Sequence, residues 1–353
     1  MHLRSVLRVG ILLPLLLACQ LFSGPGLSES ALLGTSVART LTAIANTGAP
    51  GPARTSTPSG AAGALTATAE PLPSQGPTTT PMPFSSETPP PPGGIPPQAA
   101  PISLPAGEVT LLLMGSDQRP GQEDFRTDTL LLVVLKTDGS VSLVSFPRDL
   151  WVYLPSQSME RINSAMEYGG FQLVQSTFQY NFGFAPQSYI LTTFHGFQSI
   201  IDDLGGIDVQ VGQTLSDTRT GFPKGFTVYP GWVHMDAATA LWYVRSREST
   251  SDLDRLRRAQ EVIIAIGRKL FSLNGLSRLP QVYSDYRGDV VTDLTLQDVL
   301  NLAPIFQSVI TSTVQRFVIG EGQVTPFITS EGADVLLPQS AAIRQLLLQA
   351  LGN

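Results

Sequence analysis

Between Val109 and Asp149 the chain carries apolar runs of strand length, Val109 to Met114, Thr129 to Lys136 and Ser140 to Phe146. Only Thr137-Asp138-Gly139 separates the last two, and an Asp-Gly pair between apolar runs is a strong hairpin signal. A hairpin sets neighbouring strands antiparallel, so the sheet built here is expected to be mixed rather than wholly parallel.

The ends of these runs carry charge of both signs. Gly115-Ser116-Asp117-Gln118-Arg119 follows the first, Arg126-Thr127-Asp128-Thr129 leads into the second, and Pro147-Arg148-Asp149 follows the third. Loops outside strand ends are where open α/β sheets bind ligands. Asp alternating with Arg at those points suits a metal ion and an oxyanion together, which makes phosphate chemistry the first expectation. The plainer reading is that Asp117 and Asp128 cap turns and that Arg148 pairs with Asp149.

Composition bears on this in two ways. The chain holds 19 Arg and 3 Lys, and Arg245 to Arg258 contains five Arg and no Lys. Arg makes planar bidentate contacts to phosphate that Lys cannot, although a GC-rich genome gives the same bias. The net charge of -6 and pI near 5.1 argue against nucleic acid as a partner, which calls for a basic footprint over a whole domain.

The second half of the chain alternates helical and strand-like segments. Phe194 to Leu204 has helical spacing, Gly205-Gly206 ends it, and Ile207 to Val211 follows as a strand. Asp236 to Tyr243 reads as a helix leading into Val244-Arg245-Ser246-Arg247, where an extended stretch would point Arg245 and Arg247 to the same side. Ser251 is a candidate N-cap for a helix from Asp252 to about Phe271. On it Asp252, Arg255, Arg258 and Val262 share a side beside the stripe of Leu256, Ile263, Ile266 and Leu270. Arg255 and Arg258 are therefore functional candidates, and Arg257, pointing away, reads as a solvated charge. The alternative is that these arginines merely flank a helix.

The N-terminus has the pattern of an export signal. Arg4 and Arg8 precede an apolar run from Val9 to Ala18 that is too short to span a bilayer, and Leu16-Leu17-Ala18-Cys19 resembles a lipobox. Cys19, the only cysteine, is the expected lipidation site. From Gln20 to Ala106 the chain has 17 of its 28 Pro and only five charged residues. Such a segment cannot offset its ordering entropy by burying apolar surface and reads as a disordered tether. As a flexible coil its root-mean-square span is about 50 Å. The globular part is expected from Gly107 to Asn353.

Other chemistries find little support. His195 and His234 are the only histidines after the leader, His195 reads as a core or surface packing residue, and no Gly-x-Ser-x-Gly elbow, Walker loop or zinc spacing occurs. Phe171, Phe178, Phe182, Phe184, Tyr189, Phe194 and Phe197 read as core, with a lipid pocket as the alternative.

Taken in order, GSDQR (115 to 119), RTDT (126 to 129), FPRD (146 to 149), RINSAMEYGG (161 to 170), FHGFQSIIDDLGGIDVQV (194 to 211), ALWYVRSR (240 to 247) and DLDRLRRAQ (252 to 260) resemble the LytR-CpsA-Psr family. The resemblance implies an α/β fold, a single three-layer α-β-α domain with a central mixed sheet. It further implies an extracytoplasmic phosphotransferase that moves a glycopolymer from a polyprenyl-pyrophosphate carrier to peptidoglycan, forming a phosphodiester with Mg2+ as cofactor. By motif, Asp117 and Asp128 would hold the metal, and Arg126, Arg148, Arg245, Arg247, Arg255 and Arg258 the pyrophosphate. Asp117, Arg126, Asp128, Arg148, Arg245 and Arg247 form the expected catalytic set, with Asp252, Arg161 and Gln260 in support. The implied partners are the lipid-linked glycan, a peptidoglycan acceptor and, through the lipid on Cys19, the membrane.

The chain departs from the family pattern in places. Ala259 stands where relatives commonly have Gln, Arg161 where Lys is frequent, and a lipobox where a transmembrane helix is usual. A polyprenyl-pyrophosphate phosphatase and a non-catalytic module binding lipid-linked glycan or cell wall are the competing readings.

Overall fold

The computed structural model describes residues 94–119, 124–272, 290–302 and 314–352. The leader, Cys19 and the tether as far as residue 93 lie outside the described residues.

The apolar runs near the start form an antiparallel meander of β1 (Val109–Ser116), β2 (Thr127–Leu135) and β3 (Val141–Phe146). At the Asp-Gly turn Asp138 Oδ1 accepts the Ser140 N–H at 2.8 Å, and Gly139 takes the left-handed φ of 81° that costs glycine nothing. The short pair β4 (Trp151–Tyr153) and β5 (Met159–Arg161) follows, then α1 (Ala165–Phe182), β6 (Ser188–Thr192) and α2 (Phe194–Asp203). Gly170 breaks α1 near its start with φ 61° and ψ -163°, a conformation reserved for glycine.

The chain continues through β7 (Ile207–Val211), the hairpin of β8 (Leu215–Arg219) and β9 (Phe222–Val228), and β10 (Gly231–Met235), which returns antiparallel to β7. Next come α3 (Ala237–Arg245), capped by the Asp236 carboxylate, and α4 (Asp252–Ser272), where Ser251 Oγ accepts the Asp254 N–H at 3.2 Å as the expected N-cap. Further on lie β11 (Val290–Thr292), β12 (Val314–Val318), the hairpin of β13 (Val324–Ile328) and β14 (Asp334–Pro338), and α5 (Ser340–Ala350).

The central sheet runs β11-β6-β1-β2-β3-β12. The β1–β6 and β3–β12 pairs are parallel and the remaining pairs antiparallel, so the sheet is mixed as the hairpin signal requires. Side chains alternate across it. Leu130, Leu132 and Val134 of β2 enter a core with Phe178 of α1 and Leu347 of α5, whereas Leu131, Val133 and Leu135 face Ile263 and Ile264 of α4. Helices cover both faces, which is why β2 reads as an unbroken apolar run and not as an alternation. A further core joins Ile201, Ile207, Tyr243 and Val262 between α2, β7, α3 and α4.

One boundary moves. Composition placed residues up to Ala106 in the tether, yet Ile102 is buried in the core and its N–H donates to Gly183 O at 2.8 Å. Tyr180 Oη donates to Pro96 O, and Arg344 donates to the carbonyls of Ala100 and Pro101. Proline-rich chain is ordered here because its carbonyls and one isoleucine find partners on α1 and α5, which composition does not register.

Candidate functional site

The pairing of β1 with β2 slips at its open end. Gly115 faces Thr129 and Ser116 faces Thr127, so Asp128 is the extra residue of a bulge. Bulges re-aim side chains, and this one presents Asp128 to two arginines. Its carboxylate pairs with Arg148 Nη1 at 2.9 Å and its carbonyl accepts Arg255 Nη1 at 2.8 Å. Asp117 prolongs β1 beyond the bulge, where its Oδ1 accepts the Arg126 N–H at 2.8 Å. The two aspartates expected to hold a metal thus come from facing strands at one sheet edge, with the exposed Arg126 beside them.

Arg148 leaves the end of β3 and is shared. Besides Asp128 it meets Asp149 through Nε at 3.3 Å, and the other Asp149 oxygen lies 3.3 Å from Arg161 Nε. Arg161 also donates to Asp334 O at 2.8 Å, tying the cluster to β14. Burial works against the Arg148 charge, but Asp128, Asp149 and Asp252 outweigh it and raise its pKa above the ordinary value.

The first turn of α4 supplies the other half. Asp252 holds Arg255 with both carboxylate oxygens, at 2.9 and 3.1 Å, and lies 3.8 Å from Arg247. Burial would raise the pKa of Asp252, yet Arg255, Arg148 and Arg247 hold it below the usual carboxylate value. Arg148 and Asp252 each feel the other's charge, so the strand-end and helix-start groups are one electrostatic unit. Arg245 ends α3 with its guanidinium 4.2 Å from the centre of the Phe194 ring. Phe194 opens α2 just after β6, whose Thr192 faces Gly115 of β1, which brings Arg245 to the same sheet edge.

Several expectations are corrected. Val244 to Arg247 is not extended: α3 runs to Arg245, and the chain leaves the helix at Ser246 (φ -61°, ψ 136°), so the two arginines are not set by strand alternation. Arg258 lies on the expected side of α4 but is 0% exposed, and its nitrogens donate to the carbonyls of Tyr243 and Ser246, to Thr250 Oγ1 and to Asp254. With those donors committed it braces α3 against α4. Arg255, 5% exposed, likewise spends its fork on Asp252 and Asp128 and stands behind the cluster. Gln260 is 0% exposed and joins α4 to the sheet, donating to Ser145 Oγ at 2.9 Å and Phe317 O at 2.7 Å. Arg257 is not a solvated charge; it is held by Asp254 and Glu261.

Phe178, Phe182 and Phe184 are core, the first two packed on Phe146 and Phe184 on Phe178, and Phe197 packs on the core beside α3, as the plainer reading expected. Phe171 stacks on Tyr189 with ring centres 4.3 Å apart. His195 lies exposed on α2, and His234 pairs with Asp208 at 2.8 Å on the β7–β10 ribbon.

One residue of the site was not picked out from sequence: Asp217 holds the segment between Arg245 and Arg247. Asp149, read as a partner of Arg148, also meets Arg161, and Phe194, read as core or pocket, carries Arg245. A signal existed for Asp217, since strand alternation puts it on the same inward face as Leu215, where an acid needs a partner.

Among the described residues no group of three or more His, Cys, Asp or Glu is placed to hold a metal ion. Asp117 and Asp128 offer the oxygen donors that a hard divalent cation takes, since magnesium uses one or two carboxylates and fills its remaining positions with phosphate oxygens and water.

The fold and this edge together define an α/β domain that gathers guanidiniums, balanced by carboxylates, at the ends of its central strands. The LytR_cpsA_psr family model matches residues 95–347, and the chain belongs to that family. It is 32% identical over 204 residues to "Polyisoprenyl-teichoic acid--peptidoglycan teichoic acid transferase TagU" of Oceanobacillus iheyensis, covering 55% of this chain and 61% of that one. It is 28% identical over 192 residues to "Regulatory protein MsrR" of Staphylococcus aureus, covering 53% and 57%. The chain thus spans about 60% of the length of these relatives. Among solved structures, B. subtilis TagV superposes with a TM-score of 0.58 at 22% identity, covering 69% of this chain and 97% of that one. "TagT bound to LIIa-WTA" gives 0.56 at 23% identity, covering 70% and 91%. At these identities the structures bear on the fold alone.

Proposed function

We propose that the protein is a phosphotransferase that takes a glycopolymer from a polyprenyl-pyrophosphate carrier and joins it to a peptidoglycan hydroxyl through a phosphodiester. The observation that carries this reading is the Asp128–Arg148 pair inside a larger cluster of Asp149, Arg247, Asp252 and Arg255 at one sheet edge, in a chain whose relatives include a teichoic acid transferase by name. Phosphoryl transfer asks little covalent chemistry of a protein; it asks for positioned positive charge and an oriented acceptor.

Arg148, Arg126, Arg245 and Arg247 provide the charge. A pyrophosphate arriving at Arg148 takes the place of the Asp128 carboxylate as its ion-pair partner, which frees Asp128. Asp117 and Asp128 would then hold Mg2+, which when bound neutralises phosphate oxygens. Arg255 keeps the Asp128 bulge and Asp252 in place throughout. The acceptor hydroxyl oxygen forms a bond to the phosphorus bearing the glycan, the bond from that phosphorus to the bridging oxygen breaks, and polyprenyl phosphate leaves. Asp117 is the candidate to receive the hydroxyl proton, on a carboxylate oxygen that the metal does not engage. Lipidation at Cys19 and the long tether would keep the domain on the extracytoplasmic face, within reach of both substrates.

The test is to follow polyprenyl phosphate release from a lipid-linked glycan by the full-length protein, with Mg2+ or EDTA, and with or without a peptidoglycan oligomer. Mg2+-dependent release that rises with the oligomer supports the reading. Release indifferent to the acceptor means a phosphatase, and binding without release means a non-catalytic module.

A further inference from the structure

Ser246 lies between two exposed arginines and is itself tied at every polar group. Its N–H donates to Trp242 O at 2.9 Å, closing α3. Its carbonyl accepts Arg258 Nη2, and its hydroxyl donates to Asp217 Oδ2. The same Asp217 oxygen accepts the Glu248 N–H at 3.1 Å, so one carboxylate spans the chain on both sides of Arg247. Asp217 is 7% exposed and belongs to β8, outside the sheet edge that carries the other site groups. Next to it, Thr218 accepts the Trp242 Nε1–H on its carbonyl at 2.8 Å and bonds the Glu248 carboxylate through its hydroxyl. The β8–β9 hairpin is therefore stitched along the end of α3 and the segment that follows.

We propose that Asp217 is the positioning residue for Arg245 and Arg247, with Arg258 as the second anchor from α4. An exposed arginine gives up several rotatable bonds when it binds, and a fixed backbone beneath it lowers that cost. Here the break from helix to extended chain at Ser246 sets the directions of the two guanidiniums. Arg245 lies against Phe194 and Arg247 leans toward Asp252. Asp217 acts by accepting hydrogen bonds; its negative charge so close to an anion site is a cost. This inference rests on the reading that Arg245 and Arg247 meet a pyrophosphate group.

The experiment is calorimetric titration of inorganic pyrophosphate into the full-length protein, comparing wild type with Asp217→Ala, Asp217→Asn, Ser246→Ala and the Arg245→Ala/Arg247→Ala pair, each checked for folding by thermal unfolding. Asp217→Ala is expected to weaken binding about tenfold and Ser246→Ala about threefold, from loss of buried hydrogen bonds that hold the segment. Asp217→Asn keeps an acceptor oxygen and loses the charge, so it should bind as tightly as wild type or more tightly. The opposite responses to Ala and Asn separate positioning from charge. If Asp217→Ala does not fold, Ser246→Ala still decides. Equal loss with Ala and Asn, or wild-type affinity in both Asp217→Ala and Ser246→Ala while the arginine pair loses binding, overturns the positioning role alone. Wild-type affinity in the arginine pair overturns the pyrophosphate reading, and this inference with it.

Discussion

Arg255 fixes two aspartates from different elements at once: Nη1 donates to the Asp128 backbone carbonyl at 2.8 Å, while Nε and Nη2 donate to the two carboxylate oxygens of Asp252 at 2.9 and 3.1 Å. The bulge of β2 and the first turn of α4 are held in register by this one planar fork. A lysine, with one compact ammonium on a flexible stem, cannot reproduce the geometry.

Arg255→Lys is therefore expected to lower stability by about 1–3 kcal/mol, since it leaves the Asp128 carbonyl or one Asp252 oxygen short of its donor. Urea unfolding measures this. An unchanged midpoint would mean the fork is incidental.

Arg148 sits between Asp128 and Asp149 and faces the proposed phosphate. Its replacement by Ala should cut transfer about 10²- to 10³-fold, the usual cost of removing one preorganised group that stabilises developing charge. Arg148→Lys should recover only part of this, because Lys cannot meet Asp128 and Asp149 together. Rates under saturating donor would show both effects, and a fully active Lys variant would argue against the forked geometry.

Gln260 joins α4 to β3 and β12 from within the core. For Gln260→Ala the expectation is a loss of about 2 kcal/mol in denaturant titration, because buried partners are left unsatisfied. Pyrophosphate affinity should stay within about twofold of wild type, in line with the scatter of distant substitutions. A large loss of affinity with unchanged stability would return Gln260 to the site.

Acid should loosen the cluster in a defined window. The folded pKa of Asp252 is held below the ordinary carboxylate value, so its stabilising contribution is fully present above about pH 4, the unfolded range. It is lost as pH falls below that range toward the folded value. Comparing unfolding of wild type and Asp252→Asn from pH 6 to pH 3 tests the sign: the difference should shrink as pH drops, and growth of the difference would contradict the pairing.

Removing residues 1–106 should destabilise the domain relative to removing residues 1–93. Burial of Ile102 alone is worth about 1.5–3 kcal/mol, before the bonds from Arg344 and Tyr180 are counted. Thermal unfolding of the two shortened chains provides the comparison.

Local features were legible in the sequence where a short-range rule governs them. The Asp138-Gly139 turn, the Ser251 N-cap and the Gly205-Gly206 stop depend on backbone preferences of a few residues, and the structure places them as expected. The motifs around Asp117, Asp128 and Arg148 placed charge of both signs at strand ends, and the structure brings Asp128 and Arg148 together there. Arg258 shows where periodicity stops. Helical periodicity gives the side of α4 it occupies, but not whether that side faces a ligand or the end of α3, and here α3 fills the space. The β2 bulge depends on pairing between distant segments, and strand alternation marks Asp217 as an inward acid without saying which segment it ties. Residues 94–106 were hidden by composition, since a tether and an ordered strap look alike until a partner surface exists.

The most direct test of the central claim is mass spectrometry of peptidoglycan oligomer after incubation with lipid-linked glycan, Mg2+ and the full-length protein, beside the Asp128→Asn and Arg148→Ala variants. The account predicts a glycan-phosphate adduct on the oligomer with wild type that falls at least about a hundredfold with either variant. Adduct formation undiminished in both variants, or its absence with wild type while polyprenyl phosphate is still released, would contradict it.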